Sequence, residues 1–333
     1  MTSQLTKGRR MAEKKTAKAQ TKTPAKKTVT KKARKTAKTK VGKPQKRLNR
    51  RTALITGASA GIGHDYATLL AEQGFDLVIT ARRKDRLQSL ADRLETSYGV
   101  NIHIFPEDLS DPRAPTRLVE KITKEGLNID FLVNNAGYTV PGNFDMAKWQ
   151  SHADMLQTML TAPTELCHLI GIGMAERGYG RIINMASVAG LLPGSPGGTL
   201  YGPIKSYLIK FSQALSAEYH DKGIHVQALC PGFVLSEFHD IAGNREQMNR
   251  LPKFMWLTGP DVCRKSYESV MENKGPVIVN GLFYKILGTV VKILPSNLAT
   301  KLLSLHNRNA TPLSRDIRDT ASQSASQSAE TRQ

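Results

Sequence analysis

Tyr201 stands four residues before Lys205, and Ser187 lies fourteen residues before that tyrosine. A phenol gives a proton to a substrate oxygen when something lowers its pKa. A lysine one helical turn later lies on the same face. Its positive charge favours the phenolate and makes the phenol a better acid near neutral pH. The spacing places Tyr201 in the interior of a helix. A serine hydroxyl from a neighbouring strand end can hold the same substrate oxygen. All three residues follow a glycine-rich turn, TGASAGIG at 56–63. Each piece also has a bland reading, a surface Tyr/Lys pair or a turn that merely packs. Their order along the chain is what joins them.

The elements that must position these residues alternate. RTALITGAS reads as a strand entering the glycine turn, GIGHDYATLLAEQG as a helix ending near Gly74, and FDLVITAR at 75–82 as a second strand. A helix over KDRLQSLADRLETSYG, a third strand ending at Asp108, a helix from Ala114 and a fourth strand over 129–137 follow. Beyond them come one long helix over roughly 148–176, a strand at 180–187, a helix at 200–221 and a strand at 224–232. A helix near 260–273 and a short strand at 276–281 complete the pattern. Apolar strands alternating with amphipathic helices predict an α/β fold, a doubly wound parallel sheet of the Rossmann type covered on both faces. The roughly 280 residues outside the N-terminal segment suffice for one large domain.

Charge is uneven. The chain has 333 residues and a net charge of +20, yet residues 1–51 carry twenty Lys or Arg against one Glu, a net of +19. That segment mixes Lys, Ala and Thr without aromatics and resembles the tails of histone H1-like proteins. It cannot bury enough apolar surface to repay ordering, so disorder is expected. No apolar run follows its first basic residues, which argues against a secretory signal. Cys167, Cys230 and Cys263 are widely spaced, without metal-ligand spacing or a disulfide framework, which fits a reducing, cytoplasmic setting. No catalytic metal is expected. Residues 52–282 form the expected catalytic domain, 283–309 an apolar extension, and 310–333 a Ser/Gln-rich tail.

Gly57, Gly61 and Gly63 sit between the first strand and first helix. There the backbone can approach a pyrophosphate and the helix N-terminus offers free N–H groups. Ser59 and Ile62 lie in the same turn. The second strand ends in Ala81, Arg82 and Arg83, where a cofactor with a free ribose 2′-hydroxyl normally meets a carboxylate. A guanidinium at Arg82 instead suits a 2′-phosphate. NADP(H) is therefore favoured over NAD(H). Asp108 is placed to accept from an adenine amine, with Asn134, Asn135, Ala136 and Gly137 near the adenine-ribose side.

Together TGASAGIG, NNAG at 134–137, Ser187 in NMASVAG, YGPIK at 201–205 and PG at 231–232 resemble the short-chain dehydrogenase/reductase family over about residues 52–282. The resemblance implies a nicotinamide-dependent interconversion of carbonyl and alcohol. Tyr201 would be general acid in reduction and base in oxidation. Lys205 would lower its pKa and hold the nicotinamide ribose, and Ser187 would bond the carbonyl oxygen. Pro231, Gly232, Val234 and Ser236 would line the nicotinamide. One position departs from the family: Met159 stands where an Asn usually bends the long helix and anchors a water leading to the lysine. A thioether cannot donate to that water. A catalytically silent binding protein, localised by its basic tail, is the competing reading.

No charged residue in 188–200 or 236–258 is an obvious counter-ion for a small acid. Leu191, Leu192, Phe238, Met248, Phe254, Met255 and Trp256 make those segments oily, which favours a hydrophobic ketone, aldehyde or alcohol. Phe283, Ile286, Leu287, Val290, Val291 and Leu294 fall roughly on one helical stripe. That stripe reads as a docked helix, a subunit interface, or a peripheral membrane contact or channel cover. Pro295 and the lysines argue against a transmembrane span. A homodimer or homotetramer is expected. The basic tail, residues 8–51 above all, is open to non-specific nucleic-acid contact (a nucleoid association), to an anionic surface, or to no single partner.

Overall fold

The structure is a computed structural model that describes residues 50–194, 196–235 and 251–295. The expectations for the basic tail, for Ser236, Phe238 and Met248, and for the chain beyond Pro295 lie outside the described residues.

Seven parallel strands form one sheet in the order β3-β2-β1-β4-β5-β6-β9. They are β1 (Thr52–Thr56), β2 (Asp76–Thr80), β3 (Ile102–Ile104), β4 (Ile129–Asn134), β5 (Gly180–Met185), β6 (Ile224–Cys230) and β9 (Val277–Val279). A second, two-stranded ribbon pairs β7 (Phe233–Val234) with β8 (Trp256–Leu257). Every residue of β1 and β5 is buried, as continuous apolar strands covered on both sides must be. The order reverses between β1 and β4, which opens a crevice at their carboxyl ends.

Helices α1 (Gly61–Glu72), α2 (Lys84–Tyr98) and α7 (Gly259–Met271) contribute to the core on one face, through Leu69, Leu70, Leu87, Leu94 and Val262. Helices α3 (Ala114–Lys124), α5 (Ala162–Glu176) and α6 (Tyr201–Tyr219) contribute to the other, through Leu118, Ile122, Leu166, Ile170 and Leu215. Burial of each such side chain stabilises the fold by roughly 1.5–3 kcal/mol. Helix α8 (Leu282–Ile293) follows β9.

Three boundaries differ from the sequence reading. The third strand stops at Ile104 instead of reaching Asp108. Phe105 still donates its N–H to Ile79 O, but Pro106 has no N–H to continue the ladder. The long helix is two helices, α4 (Trp149–Leu156) and α5, joined by a π-helical turn at Gln157–Thr161. Pro163 explains the interruption, because it has no N–H to return to Met159 O four residues earlier. Tyr201 is the first residue of α6 and not an interior one.

Candidate active site

The glycine turn is built from within. Gly57 adopts φ +68° and donates its N–H to Thr80 O at 2.8 Å. Asn135 passes beneath it, its Nδ2 donating to Thr56 O at 3.0 Å and Gly57 O at 3.3 Å. Thr56 Oγ1 accepts from the N–H groups of Asn135 and Ala136 at 2.9 and 3.0 Å. A Cβ on Gly63 would overlap both Gly57 O and the Asn135 amide, so the helix approaches the turn only because the residue is glycine. The Asn135 side chain, placed by sequence near the adenine ribose, is spent on holding the turn.

This turn fits a pyrophosphate. Ala60 provides no side-chain cap for α1, and no acidic residue stands in its first turn. The helix therefore begins with N–H groups and a favourable dipole open to an anion. Ser59, Gly61 and Ile62 belong to this opening.

At the end of β2 the two arginines diverge. Arg82 is largely exposed and lies 4.0 Å from Asp108, whose carboxylate also accepts from Ser110 N and Oγ at 3.1 and 2.8 Å. Arg83 turns back to the glycine turn, its Nε and Nη2 donating to Ser59 Oγ at 3.3 and 3.2 Å. Sequence reasoning placed the 2′-phosphate on Arg82. The residue brought against the turn is Arg83, and the pair Arg82–Arg83 was the only signal for it.

Across the crevice, Ser187 follows β5. Its Oγ accepts from Ala189 N at 3.1 Å and hydrogen-bonds the Tyr201 side chain. Lys205 is 4% exposed, its Nζ donates to Met185 O at 2.6 Å and it stands 5.4 Å from the Tyr201 ring centre. The three residues are brought together by β5 and α6. Their electrostatics are governed by burial. Burial pushes the Tyr201 phenol up to about 12, against the lowering effect of Ser187. Burial also pulls the Lys205 amine down to about 8. For both groups the loss of water on burial is the largest influence.

Met159 is buried behind this pair and accepts weakly from Tyr138 N through Sδ at 3.4 Å. It shares with Lys205, Asn134 and Thr56 the wall of a cavity of about 10 Å3, near the minimum for a single water. Asn134 Nδ2 donates to Asn184 Oδ1 at 2.9 Å, while its Oδ1 has no hydrogen-bond partner among the described residues. A second cavity, of about 20 Å3, opens beside Tyr201 between Val140, Phe144, His152, Met155 and Leu200. Of these, sequence reasoning had placed only Leu200 in a site segment. Leu191 packs against the cluster around Leu208 and Ile209 and serves the core. Pro231 O accepts from Val188 N at 3.0 Å, tying the PG turn to the loop after Ser187. Val234 is buried in β7.

With this geometry in place, the family model described as short chain dehydrogenase matches residues 51–247. The chain belongs to the short chain dehydrogenase family. It is an oxidoreductase. Among relatives of this short chain dehydrogenase, very-long-chain 3-oxoacyl-CoA reductase of Anas platyrhynchos is 31% identical over 264 residues, 77% of this chain and 80% of that protein. A short-chain dehydrogenase from Sphingobium yanoikuyae, solved in complex with NADPH, has 29% identity and a TM-score of 0.63, covering 84% of this chain and 95% of that one. The bulky-bulky ketone specific alcohol dehydrogenase from Comamonas testosteroni has 31% identity and a TM-score of 0.61, covering 74% and 96%.

Proposed function

We propose that the protein is an NADP(H)-dependent reductase or dehydrogenase of a hydrophobic ketone or aldehyde and its alcohol. The observation that carries this reading is the meeting of Ser187, Tyr201 and Lys205 beside a cavity walled by Val140, Phe144, Met155 and Leu200 together with Thr139, His152 and Thr199. The apolar side chains suit an apolar substrate body, with the hydroxyls gathered where a carbonyl oxygen would sit.

The glycine turn and the α1 N-terminus would hold the pyrophosphate, and Arg83 with Ser59 would meet a 2′-phosphate. Pro231, Gly232, Val234 and Ser236 would line the nicotinamide. When bound, the cofactor supplies or accepts the hydride. In reduction, Tyr201 gives its hydroxyl proton to the carbonyl oxygen as negative charge develops there. Ser187 donates a hydrogen bond to the same oxygen. Protonated Lys205 stabilises the phenolate left behind. In oxidation, Tyr201 takes the proton back. Two named relatives act on related chemistry, a 3-oxoacyl thioester in one and bulky ketones in the other.

The test is cofactor turnover by the full chain with a substrate panel. Long 3-oxoacyl thioesters and bulky cyclic ketones should be turned over faster than small polar or acidic ketones, and with NADPH faster than with NADH. A preference for small acids, or equal use of both cofactors, would sink the corresponding half of the reading.

A further inference from the structure

Helix α8 is apolar on both sides. Toward the domain, the Tyr284 ring lies on Gly232, and its hydroxyl accepts from Phe233 N at 3.2 Å and donates to Met255 O at 2.5 Å. Gly288 is also buried, packed near Leu191. This inner side docks the helix beside the PG turn. Among the described residues the outer side has no such cover. Leu282, Ile286, Val290 and Ile293 recur at helical spacing and are 74%, 56%, 47% and 78% exposed. Phe254, exposed on the preceding segment, packs edge-to-face on Phe283 with ring centres 5.6 Å apart and extends the patch. An exposed apolar stripe of this extent marks an interaction face, and among the described residues it has no occupant.

Charge identifies the occupant. Exposed Lys253 and Lys285 flank the aromatic pair. Residues 273–315 contain six Lys or Arg and no Asp or Glu. The N-terminal 51 residues add a net of +19. A second copy seated face to face would oppose lysine with lysine and find no carboxylate in the segment to pair them. Anionic lipid headgroups complement the cations while the acyl boundary takes the apolar stripe. The stripe is about 16 Å long, and no helix among the described residues is long and apolar enough to cross a membrane.

We propose that the outer face of α8, with Phe254, seats the protein peripherally on an anionic bilayer surface. An apolar stripe alone gives weak, reversible attachment, and a polybasic segment supplies the second signal that makes it stable. Through Tyr284 the seated helix is joined to the backbone at Phe233, at the mouth of the site. This purpose rests on the apolar-substrate reading; the binding itself does not.

The experiment is vesicle co-sedimentation of the full chain. It uses neutral phosphatidylcholine vesicles and vesicles containing phosphatidylglycerol, at low and high salt, for wild type, Ile286→Glu/Ile293→Glu and Tyr201→Phe. The wild type should bind anionic vesicles at least tenfold more tightly than neutral ones, and salt should weaken that binding. The double glutamate variant should lose at least tenfold on anionic vesicles while keeping its molar mass in solution and its turnover of a water-soluble ketone. Tyr201→Phe should bind vesicles like wild type, so loss of turnover and loss of binding are read separately. Unchanged vesicle binding by the double variant overturns the proposal. So does a fall in its molar mass from dimer to monomer, which would make a second copy the occupant.

Discussion

The two sides of the crevice are held by different forces. At the glycine turn, polar groups are satisfied by neutral hydrogen bonds: Asn135 to Thr56 and Gly57, Thr56 to Asn135 and Ala136. Lys205 is shielded from bulk solvent, and the amine has Met185 O as its hydrogen-bond acceptor beside the Met159 side chain. The first side is a mould whose shape does not depend on pH. The second is an electrostatic device whose two titrating groups are both pushed toward their neutral forms. Recognition of a phosphate needs fixed donors; movement of a proton needs groups whose charge can change.

The sharpest way to separate the two sides is Tyr201→Phe. It removes the proton donor and leaves the mould intact. Turnover should fall roughly 10²–10⁴-fold, with NADPH affinity by fluorescence titration within a factor of two or so of wild type. A variant that retains most of its turnover would remove Tyr201 from the chemistry.

Gly63→Ala attacks the mould instead. Its methyl would meet Gly57 O and the Asn135 amide, both held in place. Overpacking of this kind costs about 1–3 kcal/mol, read as a lower urea midpoint, and NADPH affinity should drop at least tenfold. Normal stability and affinity would show that the turn yields.

Lys205→Met tests the shielded side through stability. The amine's folded pKa of about 8 lies below its ordinary 10.5. The unfolded chain therefore binds more protons between those values, and wild-type stability gains with pH across that window. Keeping the buried lysine protonated at pH 7 costs about 3 kcal/mol at roughly 1.4 kcal/mol per unit. Losing the bond to Met185 O offsets about 1–3 kcal/mol of the relief. The inactive variant should be as stable as wild type or more so at pH 7, and that relative advantage should shrink by about 2 kcal/mol by pH 9.5. Above pH 10 Tyr201 acts the other way in both proteins. Its raised pKa makes the folded state hold the proton longer than the unfolded chain, so stability falls toward pH 12. A stability difference that does not vary with pH would mean the amine is not desolvated.

Arg83→Ala should weaken NADPH about tenfold or more, the worth of a charge-assisted hydrogen bond, and leave NADH unchanged. Arg82→Ala should do less, because Arg82 is mostly exposed beside Asp108. The reverse order would support Arg82 as the residue that meets the phosphate.

The arginine pair shows what was legible and what was not. The glycine turn, the alternation of strands and helices and the Ser187, Tyr201 and Lys205 set are local patterns, and each was visible in the sequence. Which of two adjacent arginines turns inward depends on how the chain leaves β2, and no spacing encodes that. The wall of Val140, Phe144 and Met155 is gathered by the segment after β4 and helix α4, so its members look like ordinary apolar residues in the chain. The desolvation of Tyr201 and Lys205 was not legible, because it is a property of the assembled core. The break at Met159, in contrast, was readable: Pro163 stands four residues on and removes a helical donor.

That break leads to the smallest and most specific effect. The π-helical turn forms at Met159 without an asparagine, so the turn itself does not require the amide; what the thioether changes is the polarity behind Lys205. Met159→Asn would place a donor and an acceptor on the wall of the small cavity shared with Lys205 and Asn134. A polar wall lowers the cost of the charged amine, so the Lys205 pKa should rise from about 8 toward its ordinary value. The limb of the kcat–pH profile governed by that amine should move up by roughly half to one unit, with a rate change of a few-fold, and the urea midpoint should fall slightly as Sδ packing is lost. If the profile does not move while stability falls, Met159 acts as packing alone, and the wall behind Lys205 has no part in setting its proton affinity.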